Sequence, residues 1–430
     1  MTVAAPPRPP SQAPEARDSK PLERAEIEAL VEALFEEARR ERRRRHRRYW
    51  ALAAFATFVG VFVLILLDGG AASQPTSSAF AAQSSLSAAA ATPRIAFISE
   101  PLRGGRQGNG GLYVVNADGS GKQRLTSAKY STPAWSPDGR RIAFGDGNNV
   151  WVMNADGSEP LNLTPEPGAD SDPVWSPDGR RIAFLRLRHP PRGPNWWERE
   201  VYVMNADGSG QRRLARHATT SFSAPTWSPD GRKLAFVSDR DGFVSVYTPE
   251  IHVVNVDGSG QRNLTRNPAS NSDPAWSPDG RKITFVRNFE IYVMNADGTG
   301  QTNLTRNPAH DFAPAWSPDG EQIVFERRLA RRQYGACPGC GGATIFEVHV
   351  MNADGSGPRR LTRNAGQVHE GAIGAQPRWS PDGNQIAFVS ERNGNAEVYV
   401  MNADGSGRRN LTRNAGGHDT VFAWSPAQKK

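Results

Sequence analysis

The 430-residue sequence predicts an all-β fold, a seven-bladed β-propeller preceded by one transmembrane helix. Three observations carry that reading. A unit of four short strand signals recurs with fixed turns between them, as the blades of a propeller do. The array of units opens on one strand type and closes on another. An uncharged apolar run stands ahead of the array.

The first strand signal of each unit holds the Trp of P-x-W-S or a variant, at Trp135, Trp175, Trp227, Trp276, Trp316, Trp379 and Trp424. The second is I-A-F or a variant, following Arg94 and then recurring at Ile142, Ile182, Leu234, Ile283, Ile323 and Ile386. The third is Y-V-M-N or a variant, ending at Asn116, Asn154, Asn205, Asn255, Asn295, Asn352 and Asn402. The fourth is N-L-T or a variant, as at Asn263-Leu264-Thr265. In S-P-D-G, between the first and second, Pro presets φ for a tight turn and Gly accepts a positive φ at its exit. In N-A-D-G-S-G, between the third and fourth, Asp-Gly serves a hairpin. Each strand type occurs seven times, but the array opens on a second strand and closes on a first. Residues 420–424 are therefore expected to supply the innermost strand of a blade otherwise built from 94–126. That closes a propeller over 93–426, with 427–430 as a tail.

The residues before the array divide into three. Residues 1–48 form a cytoplasmic segment, Pro/Ala-rich over 1–20 and helical from about 21, with Ile27, Leu30, Val31, Leu34 and Phe35 on one face. Residues 49–67, YWALAAFATFVGVFVLILL, carry no charge and at 1.5 Å per residue span about 28 Å, close to a bilayer core. The run rich in Arg over 39–48 abuts its N-terminal end, which places the N-terminus in the cytoplasm and the propeller outside. A cleavable signal peptide would not carry a charged region of this length. Residues 68–92 read as a low-complexity linker. The distribution of the net charge of +8 argues against a nucleic-acid surface: residues 1–50 hold the dense basic run, which the adjoining apolar span explains, and the remaining excess is spread thinly.

The units resemble the TolB-like, WD-like propeller repeats, in which W-S-P-D-G-x-x-I-A-F precedes a strand ending in N/D-x-D-G. The resemblance extends over 93–426. It implies a propeller working in the cell envelope by binding a protein, since the family's namesake is periplasmic and binds a lipoprotein. That namesake has a small α/β domain and six blades; here seven units and a membrane span stand instead. Similar repeats also precede the hydrolase domain of prolyl-oligopeptidase-like enzymes, but no G-x-S-x-G nucleophile elbow is present here.

Two faces follow from antiparallel blades. The uniform SPDG and NADGSG turns share one, and the variable second-to-third and fourth-to-first loops share the other, where recognition is expected. The longest second-to-third loops are 98–111, 185–200, 237–250 and 326–346. One offers Arg188, Trp196 and Trp197, residue types that dominate protein contacts. In the fourth-to-first loops, His310-Asp311 and His418-Asp419 stand shortly before their blade's Trp, His369-Glu370 farther upstream, and Asp172 and Asp273 three residues before theirs. Together they are expected to encircle the channel mouth, as solvated loops or as a site for a cation or a polar ligand. Cys337 and Cys340 form a C-x-x-C in the longest insertion, expected to be a local disulfide outside the cytoplasm. Neither a metal nor a cofactor is expected. N-A-D-G-S-G lacks the first Asp and twelfth-position Glu of a calcium loop.

The expected function is noncatalytic binding of a protein or envelope ligand on the variable-loop face. One alternative is a transmembrane sensor in which the 22–38 helix engages a cytoplasmic partner. A second is a propeller lyase or hydrolase using the His/Asp ring.

Overall fold

A computed structural model describes residues 92–426 apart from 102–109, 128–131, 167, 189–197, 219–223, 239–247, 333–342, 364–366, 369–374, 393, 415 and 416. The cytoplasmic helix, the 49–67 span and the linker through residue 91 lie outside the described residues. So do Trp196, Trp197, Cys337, Cys340, His369 and Glu370. Among the described residues every regular element is a strand, and no helix is long and apolar enough to cross a membrane.

The strands form seven blades. Blade 1 runs Ala134–Trp135, Arg141–Gly145, Val150–Asn154 and Leu161–Asn162. Blades 2 to 6 repeat that order around Trp175, Trp227, Trp276, Trp316 and Trp379. Blade 7 is composite: Gly417–Trp424 pairs antiparallel with Arg94–Pro101, which continues through Gly111–Asn116 to Gln123–Thr126. The expected closure is thus observed, with Ile95 opposite Trp424 and Phe97 opposite Phe422. Beyond the ladder, the Ser425 amide donates to the Arg94 carbonyl at 2.7 Å.

The repeat's residue choices have local causes. In S-P-D-G the Ser136 hydroxyl accepts the Arg141 amide at 2.9 Å and donates to Asp138 at 2.5 Å. Asp138 in turn accepts the Arg140 amide at 3.1 Å. In N-A-D-G-S-G, Asp118 accepts both the amide and the hydroxyl of Ser120, at 2.8 and 2.6 Å. Those bonds hold the Asp118 carboxyl below its ordinary range, and the oxygen a cation would want is already engaged. The glycine is demanded by the neighbouring blade: Gly298 has φ of 91°, and a Cβ there would stand 2.9 Å from the Leu264 carbonyl oxygen. In N-L-T, Asn263 accepts the Thr265 amide at 3.0 Å, Leu264 is buried, and the Thr265 hydroxyl accepts the Ile251 amide at 3.0 Å. This triad explains the recurring sequons by backbone satisfaction alone.

Blades are joined by apolar clusters and by side-chain clamps. Each core cluster draws on adjacent blades, as where Val324 and Val350 of blade 5 meet Ile386, Phe388 and Met401 of blade 6. The indole nitrogens of Trp135, Trp227, Trp316 and Trp424 donate to innermost-strand carbonyls of the preceding blade, Ala423, Val174, Ala275 and Arg378, at 3.1–3.2 Å. Gln211 and Gln301 donate to the preceding blade's Leu163 and Leu264 carbonyls at 3.0 and 2.9 Å.

Two features differ from the sequence reading. Blades 2 and 3 share one sheet, because Arg212–Ala218 extends far enough to pair Ala218 with Ser238. The 326–346 segment is a long hairpin arm in large part, with Gln322–Arg332 paired to Ala343–Asn352. Continuous hydrogen bonding with the partner strand carries both past the point where the repeat pattern stops.

Candidate functional site at the channel mouth

The innermost strand is short in blades 1, 3 and 6, but in blades 2, 4, 5 and 7 it continues upstream of the Trp. Asp172, Asp273, His310, Asp311, His418 and Asp419 therefore lie in strands, not in the fourth-to-first loops where the sequence placed them. The extension is bulged, with a register break just ahead of the Trp. The residue three before the Trp is left-handed: Asp172 at 53°, Asp273 at 50° and Ala313 at 49°. Asp tolerates that conformation better than most residues, which gives these two a structural reason.

The bulge splits the expected mouth residues into two sets. Those five before the Trp turn into the blade. Asp311 and Asp419 are fully buried, and so is Asp170, which the sequence reading passed over. Asp170 takes a bidentate pair from Arg186, at 2.7 and 2.7 Å. Asp311 takes one from Arg327, at 2.7 and 2.9 Å. Blade 4 has the neutral version, with Arg287 donating to Asn271 at 3.1 Å. These guanidinium groups lie over the ring layer below them, Arg186 at 4.7 Å from Tyr202 and Arg287 at 4.6 Å from Tyr292. His252 and His349 occupy the Tyr slot of that layer, against Phe236 and Phe325. Asp311 is thus part of blade architecture, whereas Asp419 has no such Arg: its Oδ1 accepts the Asn414 side-chain amide at 2.8 Å, and its Oδ2 is buried without a partner among the described residues. A partner Arg eleven residues beyond the Trp was the available signal, present at Arg186, Arg287 and Arg327.

The other set faces the channel. Asp172 accepts the Ser171 hydroxyl at 2.9 Å and the Thr132 hydroxyl at 3.3 Å. Asp273 is raised from its ordinary value by burial, against the opposing charges of Arg378 and Arg328. His418 is half-buried, and its Nδ1 accepts the Ala396 amide at 3.1 Å. Arg188 ends its strand opposite Glu198.

Blade 5 departs furthest from the repeat. Glu326 occupies a core position that is Gly145, Leu185, Val237, Val286, Val389 and Ile98 in the other blades, and it is 2% exposed. Its Oε2 accepts the Gln376 amide of blade 6 at 3.2 Å. Its Oε1 stands 3.6 Å from Arg328 Nε, too far for a hydrogen bond, and neither atom has another partner among the described residues. Burial pushes the Glu326 carboxyl up to about 7, opposed by Arg328 and the Gln376 amide. The Arg328 guanidinium is held over Phe312 at 4.1 Å and Phe346 at 4.8 Å. Phe312 replaces the Ser, Thr or Ala found at this position in the other blades.

An aromatic surface adjoins this cluster. Phe289 is 50% exposed at the tip of the blade 4 hairpin, its ring stacked on His310 at 4.4 Å and edge-on to Phe312 at 5.7 Å. Asn288 and Phe289 have φ of 46° and 69°, a turn that normally calls for Asn and Gly. The Phe289 carbonyl accepts the Asp311 amide at 2.7 Å, so blade 5 pins the strained turn.

The family model described as TolB beta propeller domain, PD40, matches residues 196–286 and 248–333, which include this hairpin and the Glu326 strand. Over those residues the propeller is similar to the TolB propeller domain. A Protein TolB homolog of Chlorobium luteolum is 31% identical over 148 residues, 33% of this chain and 32% of that protein. The Tol-Pal system protein TolB of Bordetella pertussis is 32% identical over 142 residues, 32% and 31% respectively. The chain thus spans about a third of the length of these relatives. Among solved structures, a puromycin hydrolase superposes with a TM-score of 0.56 at 18% identity, over 76% of this chain and 53% of that one. An oligogalacturonate lyase in complex with manganese gives 0.53 at 18%, over 68% and 82%. At such identities both show the shared fold alone. Among the described residues of this TolB-like propeller, no three His, Cys, Asp or Glu side chains converge to hold a metal ion.

Proposed function

We propose that the TolB-like propeller is a noncatalytic binding module that takes a protein or cell-envelope ligand on its variable-loop face. The observation that carries this is Phe289, a half-exposed aromatic ring held in a left-handed turn and stacked on His310. A bulky apolar residue in that conformation is strained, and beyond its contacts with His310 and Phe312 half of it stays exposed, an aromatic face that a partner can cover. The noncatalytic reading is supported by the engagement of Asp311 with Arg327 and of His418 with the Ala396 amide. One matched relative is named a Tol-Pal system protein, and with the resemblance of the repeats this favours an envelope partner.

A photo-crosslinking amino acid at position 289 of the full chain, in cells, is expected to yield a discrete adduct. The same probe at Arg180, on the uniform-turn face, should yield none. Equal labelling from both positions would refute a dedicated recognition face. Phe289→Ala should weaken the captured interaction by about tenfold or more, the loss of one aromatic anchor.

In this reading the 49–67 run anchors the propeller outside the cytoplasm, with 1–48 inside. The full chain should then resist extraction by high salt and alkaline carbonate and be released by detergent. Release by salt alone would overturn the anchor.

A further inference from the structure

On the outer flank between blades 5 and 6, a cleft of about 430 Å³ is lined by Arg360, Leu361, Thr362, Arg363 and Arg408. Arg408 lies six residues beyond the Asn that ends the third strand of blade 6. The same position is Lys122, Pro160, Gln211, Gln261, Gln301 and Pro358 in the other blades. Gln211 and Gln301 use their single amide group to clamp the preceding blade's Leu carbonyl. Arg408 makes the same clamp with Nη2, to the Leu361 carbonyl at 3.0 Å. It thereby adds a charge and further donors that the clamp does not need. Its Nε is buried without a hydrogen-bond partner among the described residues.

The neighbours sharpen the imbalance. Arg392 donates to the Arg363 carbonyl at 3.1 Å, which brings a fourth guanidinium to the cleft. Burial and the charge of Arg392 together lower the Arg408 pKa from its ordinary value. Glu347 answers Arg360 at 3.3 Å, but Arg363 and Arg408 have no ion pair among the described residues. Like charges gathered with donors unfilled are unfavourable unless an anion joins them, and guanidinium groups match the geometry of a tetrahedral oxyanion.

We propose that this cleft binds a phosphate-class oxyanion, either free or carried as an ester on a lipid headgroup. The proposal concerns the flank, not the variable-loop face, and does not depend on what that face binds.

The test is calorimetric titration of the detergent-solubilised full chain with inorganic phosphate, beside titration with short-chain phosphatidylglycerol and short-chain phosphatidylcholine. The variant Arg408→Gln restores the residue that clamps in blades 2 and 4, so its melting temperature should match that of the wild type. Arg363→Gln is a second, exposed variant. Phosphate binding that both variants weaken by about tenfold supports a free anion. Binding of phosphatidylglycerol but of neither phosphate nor phosphatidylcholine, lost in both variants, supports a lipid phosphate. Absence of binding in both arms, or binding that neither variant changes, overturns the proposal.

Discussion

Removing residues 417–426 should lower the melting temperature of the propeller by at least about 10 °C, although the segment is one strand among seven blades. The reason is what Gly417–Trp424 joins. It is the innermost strand of blade 7, paired with Arg94–Pro101 along its length. Phe422 is buried in a cluster that includes Ile95 and Phe97 of its own blade and Ala387, Val389 and Val400 of blade 6. The Ala423 carbonyl accepts the Trp135 indole of blade 1, and the Trp424 indole donates to blade 6. Blades 6, 7 and 1 therefore all lose contacts at once. Burying one large aromatic side chain is worth about 3–5 kcal/mol by truncation, before the ladder is counted. The cut also exposes the edge of Arg94–Pro101, an open template for pairing with other chains. Calorimetry on the full chain and the truncated chain checks this. An unchanged transition would mean that the ring is held elsewhere. Phe422→Ala gives a milder version, a loss of several degrees without removal of the strand.

This closure was legible because turn chemistry repeats with strand order. Seven Trp positions, seven Asn strand ends and an array that starts on the wrong strand leave one topology. The repeat also hides what departs from it. Asp311 and Asp419 read as loop residues because nothing in a single sequence marks where a bulge reverses a side chain. The bulge sends Asp311 into the blade toward Arg327 and leaves Asp273 at the channel. Phe289 sits in a short connection, and its exposure depends on a turn conformation no residue pattern announces. Glu326 was visible in principle, as the charged residue in a column of Val, Leu, Ile and Gly, once the blades are aligned by their Trp. Long loops drew attention instead, because variable length is easier to see than one substitution in a strand.

That substitution gives the second large effect. Glu326 should contribute a loss of stability as pH rises from about 4.5 to about 7, a slope opposed in part by His349, whose pKa burial lowers, and Glu326→Gln should remove the Glu326 part. The folded-state pKa of Glu326 is raised to about 7 from an ordinary 4.5, so the folded protein holds this proton more tightly than the unfolded chain does. Below the unfolded value the group is neutral in both states and its burial carries no charge penalty. Between the two values the penalty grows, because folding must either take up a proton or bury a carboxylate. Above about 7 it levels off at roughly 3 kcal/mol, since each tenfold gain in proton affinity is worth about 1.4 kcal/mol. Asp273 is raised by burial as well and adds a slope of the same sign, which Glu326→Gln leaves in place. Gln keeps an acceptor for the Gln376 amide and needs no charge, so the variant should melt higher than the wild type at pH 8 and close to it at pH 4.5. Glu326→Val, the residue of blades 3, 4 and 6, should do the same unless the freed Arg328 charge offsets the gain. Parallel pH profiles for wild type and Glu326→Gln would show that the Glu326 proton is not linked to folding. A carboxyl kept at this penalty beside Arg328, Phe312 and the exposed Phe289 marks the blade 4 to 6 sector as the part of the mouth where folding stability has been given up.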